Sequence, residues 1–87
     1  MATFLIETYL PRGRPDDLTA ATSSLRTVAA NAPPDEQPVR YIRSFFVPDD
    51  EMAFHVIEAP SLEATVELSR RAGLSPERIV ETEGSTG

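Results

Sequence analysis

Prolines and glycines cut this chain into short pieces, and that punctuation constrains its fold more than any other feature. Pro11 and Gly13 end a first strand-like run, Pro33-Pro34 stop a helical stretch, Pro48 and Pro60 bracket another strand, and Gly73 ends a last helix. Proline lacks the N–H that element interiors use, and glycine supplies left-handed backbone, so each mark closes an element. No apolar stretch between the marks exceeds a few residues, so none is a candidate to span a membrane.

Each piece has a legible type. Residues 3–10, Thr-Phe-Leu-Ile-Glu-Thr-Tyr-Leu, are β-branched and aromatic and predict a strand. Pro15-Asp16-Asp17 starts a helix, with proline in the first turn and acids at the positive end of the dipole. Leu18, Ala21, Leu25, Val28 and Ala29 recur at helical spacing and give it one apolar stripe. A polar, proline-rich loop from Asn31 to Pro38 follows. Residues 39–47 and 52–59 predict two further strands, joined as a hairpin through Pro48-Asp49-Asp50. Ser61 caps a second helix with a stripe of Ala64, Leu68 and Ala72 flanked by Leu62 and Val66, and Gly73 takes the C-cap. A last strand runs from about Arg78 to Glu83. Residues 1–83 therefore read as a single domain with a frayed tail at 84–87.

The order β-α-β-β-α-β predicts an α+β, ferredoxin-like βαββαβ fold: a four-stranded antiparallel sheet, spatial order 4-1-3-2, with two helices on one face. The other face is left bare. A chain of 87 residues buries only about 60% of its unfolded surface. With no cysteine it has neither disulfides nor a thiolate metal site to compensate. Pairing of two bare faces into a homodimer is the expected remedy. Fourteen acidic residues against eight arginines, without lysine, leave a net charge of −6 and no basic run, which excludes a nucleic-acid footprint. The first strand starts near Met1 without a basic or apolar leader pattern, so the expected location is cytoplasmic.

Side chains alternate along a strand, so each strand offers two rows. Assigning the more apolar rows to the helix side puts Phe4 and Ile6, Ile42, Ser44 and Phe46, Met52, Phe54 and Val56, and Val80 with Thr82 under the helices. Glu7, Tyr9, Tyr41, Arg43, His55 and Glu81 then share the bare face, rimmed by Leu5, Phe45 and Ile57. A one-residue bulge would flip part of this set. An imidazole, carboxylates, a guanidinium and phenols in one place suit a small polar or aromatic ligand. A carboxylate beside a histidine also suits proton transfer near neutral pH. The commoner fate of such groups is a solvated face with cross-strand pairs. Asp49-Asp50-Glu51 is a carboxylate cluster in a turn whose spacing matches no EF-hand, and Ser23, Ser24 and Ser44 lack a nucleophile-elbow context.

Several stretches together resemble a known family: Phe4-Leu5-Ile6-Glu7 with Tyr9-Leu10-Pro11, Val39-Arg40-Tyr41, Arg43-Ser44 with Phe46-Val47-Pro48 and Asp50-Glu51, Glu58-Ala59-Pro60-Ser61, and Ala72-Gly73-Leu74 with Arg78-Ile79-Val80-Glu81. They look like a family of small bacterial proteins of unassigned function, some of them nickel-binding. The resemblance implies a ferredoxin-like fold in a dimeric α+β barrel arrangement. It also implies that nickel-binding relatives use histidines near the first strand, where this sequence has Glu7-Thr8-Tyr9. A divalent metal such as nickel would here have to draw on His55, the one histidine, with Glu7 and Glu81. Three readings follow: a homodimeric small-ligand-binding protein of unassigned role lined by Glu7, Tyr9, Arg43 and His55; a small dimeric α+β barrel-type enzyme with His55 or Glu7 as general base; and a divalent-metal-binding protein.

Overall fold

The computed structural model describes residues 1–31 and 38–83. The elements are β1 (Ala2–Tyr9), α1 (Pro15–Ala30), β2 (Arg40–Val47), β3 (Met52–Ala59), α2 (Leu62–Arg71) and β4 (Arg78–Thr82). All strand pairs are antiparallel, in the order β2-β3-β1-β4, which is the expected 4-1-3-2 taken from the other edge. The expected tail at 84–87 and most of the expected loop before β2 lie outside the described residues.

Local chemistry sets the element ends. Pro15 opens α1 with Asp16 and Asp17 in its first turn, and Arg14 pairs with Asp17 at 3.0 Å. The Asn31 side-chain amide closes that helix by donating to the Thr27 carbonyl at 2.7 Å. The Ser61 hydroxyl caps α2 by accepting the Ala64 N–H at 3.1 Å. At its other end Gly73 takes φ +77°, which brings its N–H to the Arg70 carbonyl and the Leu74 N–H to the Ser69 carbonyl. Between β2 and β3, Pro48–Asp50 make a single 3-10 turn and Glu51 adopts a left-handed φ of +49°. The Glu51 carbonyl takes the Leu10 N–H and its carboxylate the Arg12 N–H, each at 2.8 Å, which fastens the loop after β1 to this turn. That use of Glu51 gives the acidic turn a structural role.

The core lies between the sheet and both helices: Phe4, Ile6, Leu25, Ile57, Ala59 and Leu68 are buried together, with Val28, Ala29, Ala64, Ala72 and Leu74 against them. Of the apolar stripe expected of α1, Leu25, Val28 and Ala29 pack into this core, whereas Leu18 and Ala21 are half-buried outside it. In α2 the inward face is Thr65, Leu68 and Ser69, whereas Leu62 and Val66 stand exposed. Thr65 enters the core because its hydroxyl donates to the Ser61 carbonyl one turn back, which removes its need for water.

Candidate functional site

Cross-strand register sorts the sheet residues into rows. On the helix side one row runs Tyr41, Ile57, Phe4, Glu81 and the next runs Ser44, His55, Ile6, Ile79. On the bare side one row runs Arg43, Val56, Leu5, Val80, followed by Phe45, Phe54, Glu7, Arg78, and then Val47, Met52, Tyr9.

The expected constellation is thereby split. Glu7, Tyr9 and Arg43 stand on the bare face as read. His55, Tyr41 and Glu81 do not: they belong to the helix side, and Ile57 is a core residue rather than a rim. Two causes act. On β3 the row chosen for the core, Met52-Phe54-Val56, is larger and more apolar than Ala53-His55-Ile57, yet Ile6 and Phe4 of β1 pair with His55 and Ile57 and carry that row under the helices. Small Ala53 and Ala59 there are fully buried. On β2 the register shifts between Tyr41 and Arg43. This bulge puts Tyr41 and Arg43 on opposite faces and leaves Ile42 as the extra residue.

On the helix side the polar groups form one chain. His55 is fully buried. Its Nδ1 bonds the Ser44 hydroxyl at 2.5 Å and its Nε2 faces the Thr8 hydroxyl at 3.4 Å. The Tyr41 hydroxyl bonds Ser44 at 2.7 Å, and from α1 the Arg26 guanidinium lies over the Tyr41 ring, 5.2 Å from its centre. A neutral imidazole has one donor and one acceptor nitrogen, so the chain closes in either sense. Burial pushes the His55 pKa down to about 4, because the charged ring has been taken out of water. The ring is therefore neutral at pH 7 and fully occupied by hydroxyls of its own chain.

On the bare side Glu7 is 9% exposed and its carboxylate accepts from Arg78 Nε at 2.9 Å. Phe45 and Phe54 stack with centroids 5.2 Å apart, and Arg43 lies over Phe45 at 5.8 Å. Around them Leu5, Met52, Val56 and Val80 are half-buried, while Tyr9 stands exposed. Arg40 and Glu58 pair at 3.0 Å at one end. The face thus has an apolar centre and a charged rim.

His55 and Glu7 lie on opposite faces of the sheet, so they form no acid–base pair. Sequence reasoning passed over Ser44, Thr8 and Arg78. The first was legible: a hairpin centred between Asp49 and Asp50 makes positions 44 and 55 cross-strand partners. Arg78 opposite Glu7 required the β1–β4 register, which no local pattern supplies.

These features define a ferredoxin-like α+β domain whose helix side is packed and whose other face is apolar and uncovered. Residues 4–82 match the family described as SCO4226-like, nickel responsive protein, and the chain belongs to that family. The crystal structure of SCO4226 from Streptomyces coelicolor A3(2) superimposes with a TM-score of 0.78 at 22% identity, over 98% of this chain and all of that one. No curated protein matches the chain.

Nickel is selected by nitrogen-rich ligation, and this sequence has one histidine and no cysteine. Both nitrogens of that histidine are engaged, and Glu7 lies across the sheet in an ion pair. Among the described residues no three His, Asp or Glu side chains are grouped to share an ion. The residues present therefore do not fit a nickel centre within one chain. Among the described residues no helix is long and apolar enough to cross a membrane.

Proposed function

We propose that this protein is a non-catalytic binding protein of its nickel-responsive family, and that it works as a homodimer joined through the bare sheet faces. The observation that carries this reading is the composition of that face: Leu5, Phe45, Phe54, Val56 and Val80 in adjoining rows, ringed by Arg43, Arg78 and the Arg40–Glu58 pair. An apolar centre with a charged rim is the anatomy of an interface. Four strands about 4.8 Å apart and up to eight residues long offer about 450–500 Å² per copy, or about 1,000 Å² across a pair. That reaches the lower bound for a specific association. A second copy is the favoured occupant because a face with both charge signs around one apolar centre can oppose itself about a two-fold axis. Glu7, Tyr9 and Arg43 would then line the seam, where a small polar or aromatic ligand has charged and aromatic groups to meet.

Sedimentation velocity at micromolar concentration tests the reading. The wild type is expected as a dimer, and Phe45→Glu, at an exposed position, as a folded monomer with unchanged far-UV circular dichroism. A wild type that sediments as a clean monomer overturns it.

A further inference from the structure

The edge strand β2 has two ways to lie on β3. After the bulge, Arg43, Ser44, Phe45, Phe46 and Val47 pair with Val56, His55, Phe54, Ala53 and Met52. The Pro48–Asp50 turn fixes that half, since it joins the paired ends. Before the bulge, Tyr41 pairs with Ile57 and Arg40 with Glu58. If the strand ran on without the extra residue, Ile42 would oppose Ile57 and enter the core, while Tyr41 would turn out to the bare face beside Arg43 and Phe45. That regular pairing would withdraw Ile42, now 41% exposed, from water and restore an unbroken ladder, while taking the half-buried Tyr41 off the core. The bulged pairing is nonetheless the one adopted, and what it gains is polar. It brings the Tyr41 hydroxyl to Ser44, which His55 holds, and places the Tyr41 ring under Arg26.

We infer that the hydroxyl–imidazole chain Tyr41–Ser44–His55–Thr8 is the lock that selects the bulged register of β2, and that the protein's sole histidine serves there rather than as a nickel donor. Ser44 is the centre of the lock. Its bond to His55 lies in the half that the turn fixes and holds it in place, while its bond to Tyr41, on the far side of the bulge, exists only in the bulged pairing. His55 passes the restraint to Thr8 on β1. Leaving the bulged register breaks the Tyr41–Ser44 bond and takes the Tyr41 ring from under Arg26. A metal ion could take Nδ1 only by displacing Ser44, and so would disturb the hydroxyl to which Tyr41 bonds. The lock also decides what the bare face shows, because the regular register would add a phenol to it. The inference rests on the helix-side bonds and stands whether or not the bare face meets a second copy.

The experiment is isotope-edited NMR on the whole chain. Wild type is expected to show side-chain contact between Tyr41 and Ile57, with slowly exchanging amides flanking the bulge. Ser44→Ala removes both bonds and should yield contacts between Ile42 and Ile57, with exchange at residues 41–43 about tenfold faster. Ser44→Thr, which keeps the hydroxyl, should restore the wild-type contacts. That rescue distinguishes a lock from a general packing role. Tyr41→Phe removes a single hydroxyl and decides the matter if Ser44→Ala does not fold: it should populate both sets of contacts. Unchanged Tyr41–Ile57 contacts and unchanged exchange in Tyr41→Phe overturn the inference. Stoichiometric Ni²⁺, which is paramagnetic, should leave the His55 ring signals sharp in the wild type. Broadening centred on that ring overturns it as well.

Discussion

Acidification from pH 7 to pH 5 isolates His55 almost completely. The chain has one histidine and no cysteine, so the imidazole and the terminal amine are its only groups that ordinarily titrate in that interval, the carboxylates lying mostly below it. In the folded protein burial holds His55 at about 4, against 6.5 for the free side chain. The unfolded chain therefore takes up a proton first as the pH falls, and the folded state is penalised. Stability is whole above about pH 6.5, declines between 6.5 and 4, and is level below 4 so far as this group is concerned. With 1.36 kcal/mol per pKa unit, the full depression amounts to about 2 kcal/mol at pH 5, and relaxation around a charged ring trims this to about 1–2 kcal/mol. For a domain held by about 5–15 kcal/mol, that loss is readily seen. Urea unfolding followed by circular dichroism at pH 7, 6 and 5, at one protein concentration, reads it directly. His55→Gln should start less stable, with one hydrogen bond recovered by its amide, and should lose the slope. A wild-type stability that is flat from pH 7 to pH 5, or an equal slope in His55→Gln, refutes the neutral, enclosed imidazole.

Two further outcomes test the fold itself. Ile6 is fully buried at the centre of the sheet between His55 and Ile79, so Ile6→Ala should cost about 2–5 kcal/mol, measured as a fall in the urea midpoint or as outright unfolding. Ser61→Ala removes the single hydroxyl that caps α2 and should cost about 1 kcal/mol with the sheet intact; a melting temperature equal to wild type would show that the cap contributes nothing.

The separation between the two outer layers of the sheet carries functional weight. A catalytic reading of this chain needs an ionisable base open to a substrate. His55 is enclosed by Thr8, Ser44 and Ile6, while Glu7 sits across the sheet against Arg78. The family's nickel response likewise finds no prebuilt nitrogen set in one chain. What remains chemically unspent is the apolar face itself, and that is where a partner or ligand has surface to gain.

The sequence by itself determined the elements, their ends and their order. Pro15, Ser61 and Gly73 act within a turn or two, and alternation along eight residues is enough to name a strand. From those the α+β class and the spatial order 4-1-3-2 follow, because short connections leave few topologies. Even the Ser44–His55 pairing was implicit in the hairpin's symmetry. The faces were not. On β3 both rows are apolar enough to be core, and the choice falls to the pairing with Phe4 and Ile6 of β1, more than forty positions away. The bulge at Ile42 depends on a hydroxyl chain that spans three strands, and Glu7 meets Arg78 only because β4 returns beside β1. Local propensity acts over a few residues, whereas register is settled by contacts between distant ones, and so only the tertiary structure could say which of the expected site residues stand together.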